Sequence, residues 1–331
     1  MIGQTLKLRV ASLQDIAPGL RHLRLVAVDG APLPPTGAGA HVQLSLPGAA
    51  RVHRNAYSLV NVPGSRSAYD LIVRRVPTSR GGSAAVHERL QVGDVVEALW
   101  PGNLFAPVRK ASRHLMIAGG VGITPFLSYV QDATVRQAGF SLHVCCRESE
   151  QDVFAPWLGA SAGTDTGGTG ATASAGADVQ FHWNAEGRRL DIATLLAAQP
   201  AGTHLYVCGP ESLNTAVLQA AEEAGWPASQ VHTEHFGGAQ TGGTAFEAVL
   251  QKSGIRVQVA EDESLLEAIE RVGVAAPCLC RGGACGVCAL PVLSGEPEHR
   301  DHFLSAAERA SQKLVMPCVS RARSASLVLD L

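Results

Sequence analysis

Cys278-Leu279-Cys280-Arg281-Gly282-Gly283-Ala284-Cys285-Gly286-Val287-Cys288 is the stretch on which the reading of this chain turns. Counted from Cys280 it is C-x4-C-x2-C, and with Cys318 downstream it has the plant-type ligand spacing of a [2Fe–2S] centre. Four thiolates must converge on such a cluster, so one tight loop supplies three and a distant segment the fourth. Gly282, Gly283 and Gly286 let the backbone fold closely around the sulfides and aim N–H groups at them. Zinc motifs usually pair two short C-x2-C knuckles, and only one is present, so zinc and buried structural thiols rank below the cluster. The expected ligands are Cys280, Cys285, Cys288 and Cys318; Cys278 stays outside because C-x6-C from it breaks the spacing. A one-electron carrier at one end of a chain raises the question of what loads it.

Around the loop the sequence reads as a compact unit over residues 246–331. Alternating strands are expected at 247–250 and 256–259. Leu265, Leu266, Ile269 and Val272 give one apolar helical face, stopped by Gly273. Ser305-Ala306-Ala307-Glu308 is an S-x-x-E capping box opening a short helix, and Ser326-Leu327-Val328-Leu329 is a closing strand. The glycine-rich residues 237–245 before this unit read as a linker.

Upstream, residues 109–236 have the period of an α/β domain. His114-Leu115-Met116-Ile117-Ala118 is an apolar strand, followed by Gly119-Gly120-Val121-Gly122-Ile123-Thr124-Pro125. Thr124 is the expected N-cap and Pro125 the first helical residue. A strand, a glycine turn and a helix start make the geometry that receives a pyrophosphate, although this is not G-x-G-x-x-G. Ser141-Leu142-His143-Val144-Cys145-Cys146 and His204-Leu205-Tyr206-Val207-Cys208 are further strands, the second running into Gly209-Pro210. Asp191 caps a helix through Ala198, and a helix after Pro210 stops at Gly225. Alternating β and α elements imply a parallel sheet that binds ligands at the carboxyl ends of its strands. Gly119, Gly120, Gly122, Thr124, Cys208, Gly209 and Pro210 fall on that edge; Cys208 is either a small buried residue or a group near a nicotinamide. Residues 159–177, nearly all Gly, Ala, Ser and Thr, read as a flexible insertion without a chemical role.

Residues 1–108 show short period-two segments such as Leu6-Lys7-Leu8-Arg9-Val10 and Tyr69-Asp70-Leu71-Ile72-Val73, divided by Gly and Pro. They imply a small antiparallel β-barrel whose helical insertion lies near residues 86–90. Arg54-Asn55-Ala56-Tyr57-Ser58-Leu59 is expected at the start of a strand, and Arg80-Gly81-Gly82-Ser83 opens a helix. A Tyr can stack on an isoalloxazine ring with Ser at its polar edge, or sit in the barrel core. A glycine turn beside a cation offers N–H groups to a phosphate. Together these pieces favour a flavin.

The 331 residues, with 46% hydrophobic and 17% charged residues and a net charge of −2, describe an ordinary globular protein of two or three domains. No basic tract suggests nucleic acid, and no apolar run reaches a membrane span. The segment from Met1 to Lys7 lacks the apolar core of a signal peptide. Eight cysteines, four of them in the cluster pattern, suit a reducing cytoplasm rather than structural disulfides.

With these motifs in order, the chain resembles phthalate dioxygenase reductase and its relatives over essentially its whole length. Within that family it looks closest to the reductase components of carnitine monooxygenase and related demethylating Rieske systems, through residues 55–59 and 278–281. The resemblance implies an FMN-binding barrel, an NAD domain and a C-terminal α+β (β-grasp) plant-type ferredoxin domain. It further implies electron transfer from NADH through FMN and [2Fe–2S] to a separate Rieske-type terminal oxygenase. On this resemblance Tyr57 and Ser58 hold the isoalloxazine, Ser58 near N5, and Phe236 shields the ring until nicotinamide displaces it. The family motif is R-x-Y-S, whereas Asn55 stands two residues before Tyr57 and Arg54 one earlier. Arg80 with Ser83, or Arg74 after the Val73 strand, are the other candidates for the flavin phosphate. Two alternatives stand beside this: a non-catalytic iron–sulfur redox sensor, and a reductase for a di-iron monooxygenase.

Overall fold

Alternation of apolar residues puts one face of each N-terminal strand inward. The strands are β1 (Thr5–Ala17), β2 (Leu20–Ala27), β3 (His41–Pro47), β4 (Val52–Ser58) and β5 (Tyr69–Arg74), then helix α1 (Gly82–Glu88) and β6 (Val95–Leu99). They pair antiparallel in the order β4-β3-β6-β1-β2-β5. β4 and β5, the two edges, come alongside without a ladder, giving a nearly closed barrel. Leu8, Val10, Leu23, Leu25, Val42, Leu44, Leu71 and Val73 fill it from alternate positions, with Val86 of α1 plugging one end. The computed structural model describes residues 5–48, 52–77, 81–158, 177–183, 189–236 and 242–331.

The period then lengthens. β7 (Arg113–Gly119) leads through a 3-10 turn (Gly120–Ile123) into α2 (Thr124–Tyr129) and α3 (Ala133–Ala138). β8 (Phe140–Cys145), a 3-10 turn (Glu148–Glu150), α4 (Gln151–Leu158) and β9 (Ala177–His182) follow. α5 (Ile192–Ala197), β10 (Thr203–Gly209), α6 (Glu211–Glu223) and β11 (Val231–His235) complete the layer. All five strands are parallel, in the order β11-β10-β7-β8-β9. Leu115, Ile117, Leu205 and Val207 pack on Leu196, Val217 and Ala221 of α5 and α6. On the other face Met116, Ala118, Tyr206 and Cys208 join Phe126, Tyr129 and the barrel residues Leu20, Val60, Ile72 and Phe105 in one core. Barrel and sheet therefore form a single compact unit, Met1–Phe236.

Three expectations change in this unit. Thr124 is not the N-cap: its φ/ψ of −56°/−43° is helical and its Oγ1 donates to Val121 O at 3.0 Å, because the 3-10 turn already starts the coil. Residues 54–59 lie at the end of β4, not its start. The flexible insertion lies outside the described residues except Ala177, which begins β9 in register with Phe140.

The second unit, Gly237–Leu331, has β12 (Phe246–Leu250), β13 (Ile255–Val259), α7 (Leu265–Arg271), β14 (Leu290–Ser294) and β15 (Pro297–Glu298). Then come α8 (Ala306–Ser311), β16 (Leu314–Val315), β17 (Arg321–Ala322) and β18 (Ser326–Leu329). The main sheet runs β13-β12-β18-β14-β16, with β12 and β18 parallel and the other pairs antiparallel. α7 lays Leu265, Ala268 and Ile269 on Ala248, Val257, Val259 and Leu327. The expected box at Ser305 and Glu308 is formed, and a second, Ser264 with Glu267, opens α7. Each N-cap is worth about 1 kcal/mol. The expected linker falls mostly outside the described residues; residues 242–245 have no regular structure. No helix among the described residues is long and apolar enough to cross a membrane.

Candidate functional site

The barrel end of β4 is built for a ligand with polar edges. Tyr57 Oη and Ser58 Oγ are buried and have no hydrogen-bond partner among the described residues, which costs free energy unless something else supplies one. Burial alone pushes the Tyr57 phenol upward, so it stays a neutral donor. α1 starts directly on this strand: a Cβ on Gly81 would lie 2.5 Å from His53 Nε2, and one on Gly82 would overlap the Asn55 amide. Only glycine permits that approach, and Gly81 also has a φ of 116°. Strand alternation therefore puts His53, Asn55 and Tyr57 on one side of β4, with Arg54 and Ala56 on the exposed other side. Arg54, expected to serve the flavin, does not share the face of Tyr57; Asn55 does. Ser83 Oγ accepts from Val76 N–H at 3.2 Å, and Val73 is buried with its carbonyl 3.0 Å from His87 Nε2. Arg80 lies outside the described residues. Arg74 pairs with Glu150 across the unit at 2.7 Å.

The second element is a crevice at the sheet's carboxyl edge. β7 is the first strand of its layer yet sits between β8 and β10, so the chain reverses direction there. Open α/β sheets bind ligands at such a switch point. The turns after β7 and β10 touch: a Cβ on Gly119 would lie 2.5 Å from Pro210 Cδ, and one on Gly122 would overlap the carbonyl of Cys208. Gly120 has a φ of 52°. Of the expected group, Gly119 and Gly122 are thus brought against Cys208, Gly209 and Pro210, with Gly120 and Thr124 on the same turn. The Cys208 side chain is completely buried in the core, and desolvation, reinforced by the charge of Glu234, holds its thiol neutral. Phe236, just beyond β11, is 42% exposed.

The third element is the loop between α7 and β14. Cys288 Sγ lies 3.2 Å from Cys318 Sγ, and Cys280 shares a hydrogen bond with Cys285. That bond, helped by the N–H groups of Gly282, Ala284 and Cys285, draws the Cys280 thiol down to about 5. The Cys318 contact likewise lowers Cys288. Two close sulfur pairs from one loop and one distant segment are the donor set that a [2Fe–2S] centre takes. Left-handed residues bend the loop: Arg281 (φ 52°), Gly283 (φ 74°) and Gly286 (φ 73°). Cys278 packs among Leu266, Leu304 and Met316, and burial pushes its thiol up to about 12. It is held as a neutral neighbour of the site. Within the loop Ala284 and Val287 are exposed, whereas Gly283 is buried against Val319 and Asp301.

Comparison with known proteins agrees with this layout. Residues 248–323 match the 2Fe-2S iron-sulfur cluster binding domain, and residues 102–231 match the N-terminal domain of dimethylamine monooxygenase subunit DmmA-like proteins. The heme-dependent oxidative N-demethylase beta subunit of Ectopseudomonas mendocina (strain ymp) is 42% identical, over 98% of this chain and 99% of its own length. The carnitine monooxygenase reductase subunit of Escherichia coli (strain K12) is 38% identical, over 99% of both chains. Phthalate dioxygenase reductase, described as a modular structure for electron transfer from pyridine nucleotides to [2Fe–2S], superposes with a TM-score of 0.82. It is 33% identical, and the match covers 99% of this chain and 98% of that one. The chain belongs to the phthalate dioxygenase reductase family. As a member of this family it is a flavin- and iron–sulfur-dependent electron-transfer oxidoreductase, the reductase of an oxygenase system.

Sequence reasoning missed the Asn55 contact with α1, Glu150 as the partner of Arg74, and the Ser264 box. For Ser264 the signal was present as S-x-x-E before an apolar helix. The other two pair residues remote in sequence and carry no local pattern.

Proposed function

We infer that the protein takes a hydride from NADH bound across the turns at residues 119–124 and 208–210 and delivers electrons to a Rieske-type terminal oxygenase. Residues 1–108 serve the FMN, residues 109–236 the NADH and residues 246–331 the cluster. What supports the reading is that an inlet and an outlet for electrons lie on one chain: the switch-point crevice and the four-sulfur site.

Bound FMN would supply the change from a two-electron donor to single-electron transfers, and the cluster would hold one electron at a time. The chain's own residues do the placing. Tyr57 and Ser58 would hold the isoalloxazine with two buried oxygens that have no partner among the described residues, Ser58 toward N5 as the family resemblance implies. Gly81, Gly82 and Ser83, with Arg80, receive the flavin phosphate. Phe236 covers the ring when nicotinamide is absent. Cys208, buried and neutral, bounds the nicotinamide pocket and performs no acid–base step. Plant-type clusters lie near about −400 mV and Rieske centres between about −150 and +300 mV, so transfer to a Rieske oxygenase is downhill. The cytoplasm is the proposed location, on the strength of the cysteine usage.

A second acceptor has its own support: the 42%-identical N-demethylase relative is heme-dependent. Coupled assays with a Rieske oxygenase and, separately, a heme oxygenase component decide between them. Oxygen-dependent NADH consumption with the Rieske partner is expected; coupling to the heme component alone would transfer the proposal to that partner. The released flavin should have the mass of FMN, and turnover should favour NADH over NADPH. An FAD mass, or NADPH preference, overturns that part of the reading.

A further inference from the structure

Arg74 and Glu150 form a contact that the electron path does not require. Arg74 ends β5 of the barrel, and Glu150 ends the 3-10 turn after β8, so the two come from different layers of the unit. Arg74 Nη2 donates to Glu150 Oε1 at 2.7 Å, with the side chains 25% and 10% exposed. The other oxygen, Glu150 Oε2, accepts from the Arg147 N–H at 3.4 Å, which anchors the carboxylate to its own turn. The same Nη2 lies 3.7 Å from the point where a Cβ on Gly120 would stand. The guanidinium nitrogen beside the glycine turn is therefore the one the carboxylate already occupies.

Arginine binds carboxylate and phosphate through the same planar fork of donors. A diphosphate received at the Gly120 turn would lie beside Nη2, and Glu150 competes with it for the donors of that nitrogen. Building on the nucleotide site assigned above, we propose that Glu150 is a latch on Arg74 that the diphosphate of the pyridine nucleotide must displace. Glu150 is then a positioning residue that lowers affinity by holding Arg74 engaged. Among the described residues, release leaves a carboxylate 7% exposed with its Arg147 contact alone, and that cost is subtracted from nucleotide binding.

Calorimetric titration of ADP-ribose into the FMN-loaded protein tests this. Glu150→Gln keeps the shape and removes the competing charge, so it should tighten ADP-ribose binding about tenfold, the scale of one charge-assisted hydrogen bond. Glu150→Asp, which shortens the reach to Arg74, should tighten it less. Arg74→Ala should weaken binding, and adding Glu150→Gln to it should change nothing more. FMN affinity of the apoprotein should not respond to Glu150→Gln. Unchanged or weaker ADP-ribose binding in Glu150→Gln, tightening that survives Arg74→Ala, or a response of FMN instead would overturn the latch. A wild-type protein that binds no ADP-ribose would refute the nucleotide site itself, a different failure.

Discussion

At the nucleotide crevice, glycine exists so that backbone can meet backbone. A side chain on Gly122 would occupy the carbonyl of Cys208 and the amide of Gly209. In the cluster loop, Gly286 faces the Phe303 ring instead, and its φ of 73° bends the chain so that sulfurs converge. The crevice is a preformed surface made of main chain, whereas the loop is a set of side-chain donors that a metal completes. A crevice of this kind tolerates no added atom, while the loop depends on four named thiols and adjusts around them.

The largest effect should come from the thiols. Cys280→Ser or Cys285→Ser should abolish NADH-driven cytochrome c reduction and leave ferricyanide reduction by the flavin intact; Cys278→Ser should leave both. Loss of the cluster in Cys278→Ser, with retention in Cys280→Ser, would reverse the ligand assignment. Next comes glycine itself. Gly122→Val should cut NADH-driven ferricyanide turnover by more than about tenfold, since overpacking against backbone costs about 1–3 kcal/mol, with the cluster spectrum unchanged. Gly286→Ala meets a ring that can turn, so cluster content should fall less than nucleotide turnover falls in Gly122→Val. Equal losses would erase the distinction between the two regions.

A smaller effect is expected at Tyr57. Tyr57→Phe removes a buried hydroxyl that lacks a hydrogen-bond partner among the described residues, so the apoprotein should melt slightly higher. FMN should bind about twofold to tenfold more weakly, the scale of one hydrogen bond. Weaker melting with unchanged FMN affinity would show that the hydroxyl does not face the flavin. The smallest concerns pH. Burial, with a neighbouring imidazole, lowers His114 and His143 to about 4 from an ordinary 6.5. The folded state therefore binds fewer protons than the unfolded chain between those values. Stability from these groups is present above pH 6.5 and is lost as pH falls toward 4. His114→Phe and His143→Gln should flatten a plot of melting temperature against pH in that window; an unchanged slope would clear both residues.

What was legible in the sequence follows the same division. The cluster ligands could be read because four side chains at fixed spacing are the chemistry. The glycine turn after β7 could be read as a phosphate receiver, but not its contact with the turn after β10, which joins segments far apart in the chain. Thr124 was misplaced because a 3-10 turn and an N-cap look alike before Pro125. The strands β14 to β17 surrounding the loop are short and lack alternation, so nothing local announced them. Arg54 stands one residue before the place that the family motif gives its arginine, and that one residue puts it on the other face of β4 from Tyr57.

Anaerobic titration of the FMN-loaded, cluster-loaded protein with NADH, followed by low-temperature electron paramagnetic resonance, tests the central claim most directly. The rhombic signal of a reduced plant-type [2Fe–2S] centre should grow as NADH is consumed, and should be absent in Cys285→Ser. Flavin bleaching in the wild-type protein with no cluster signal, at any NADH excess, would contradict it.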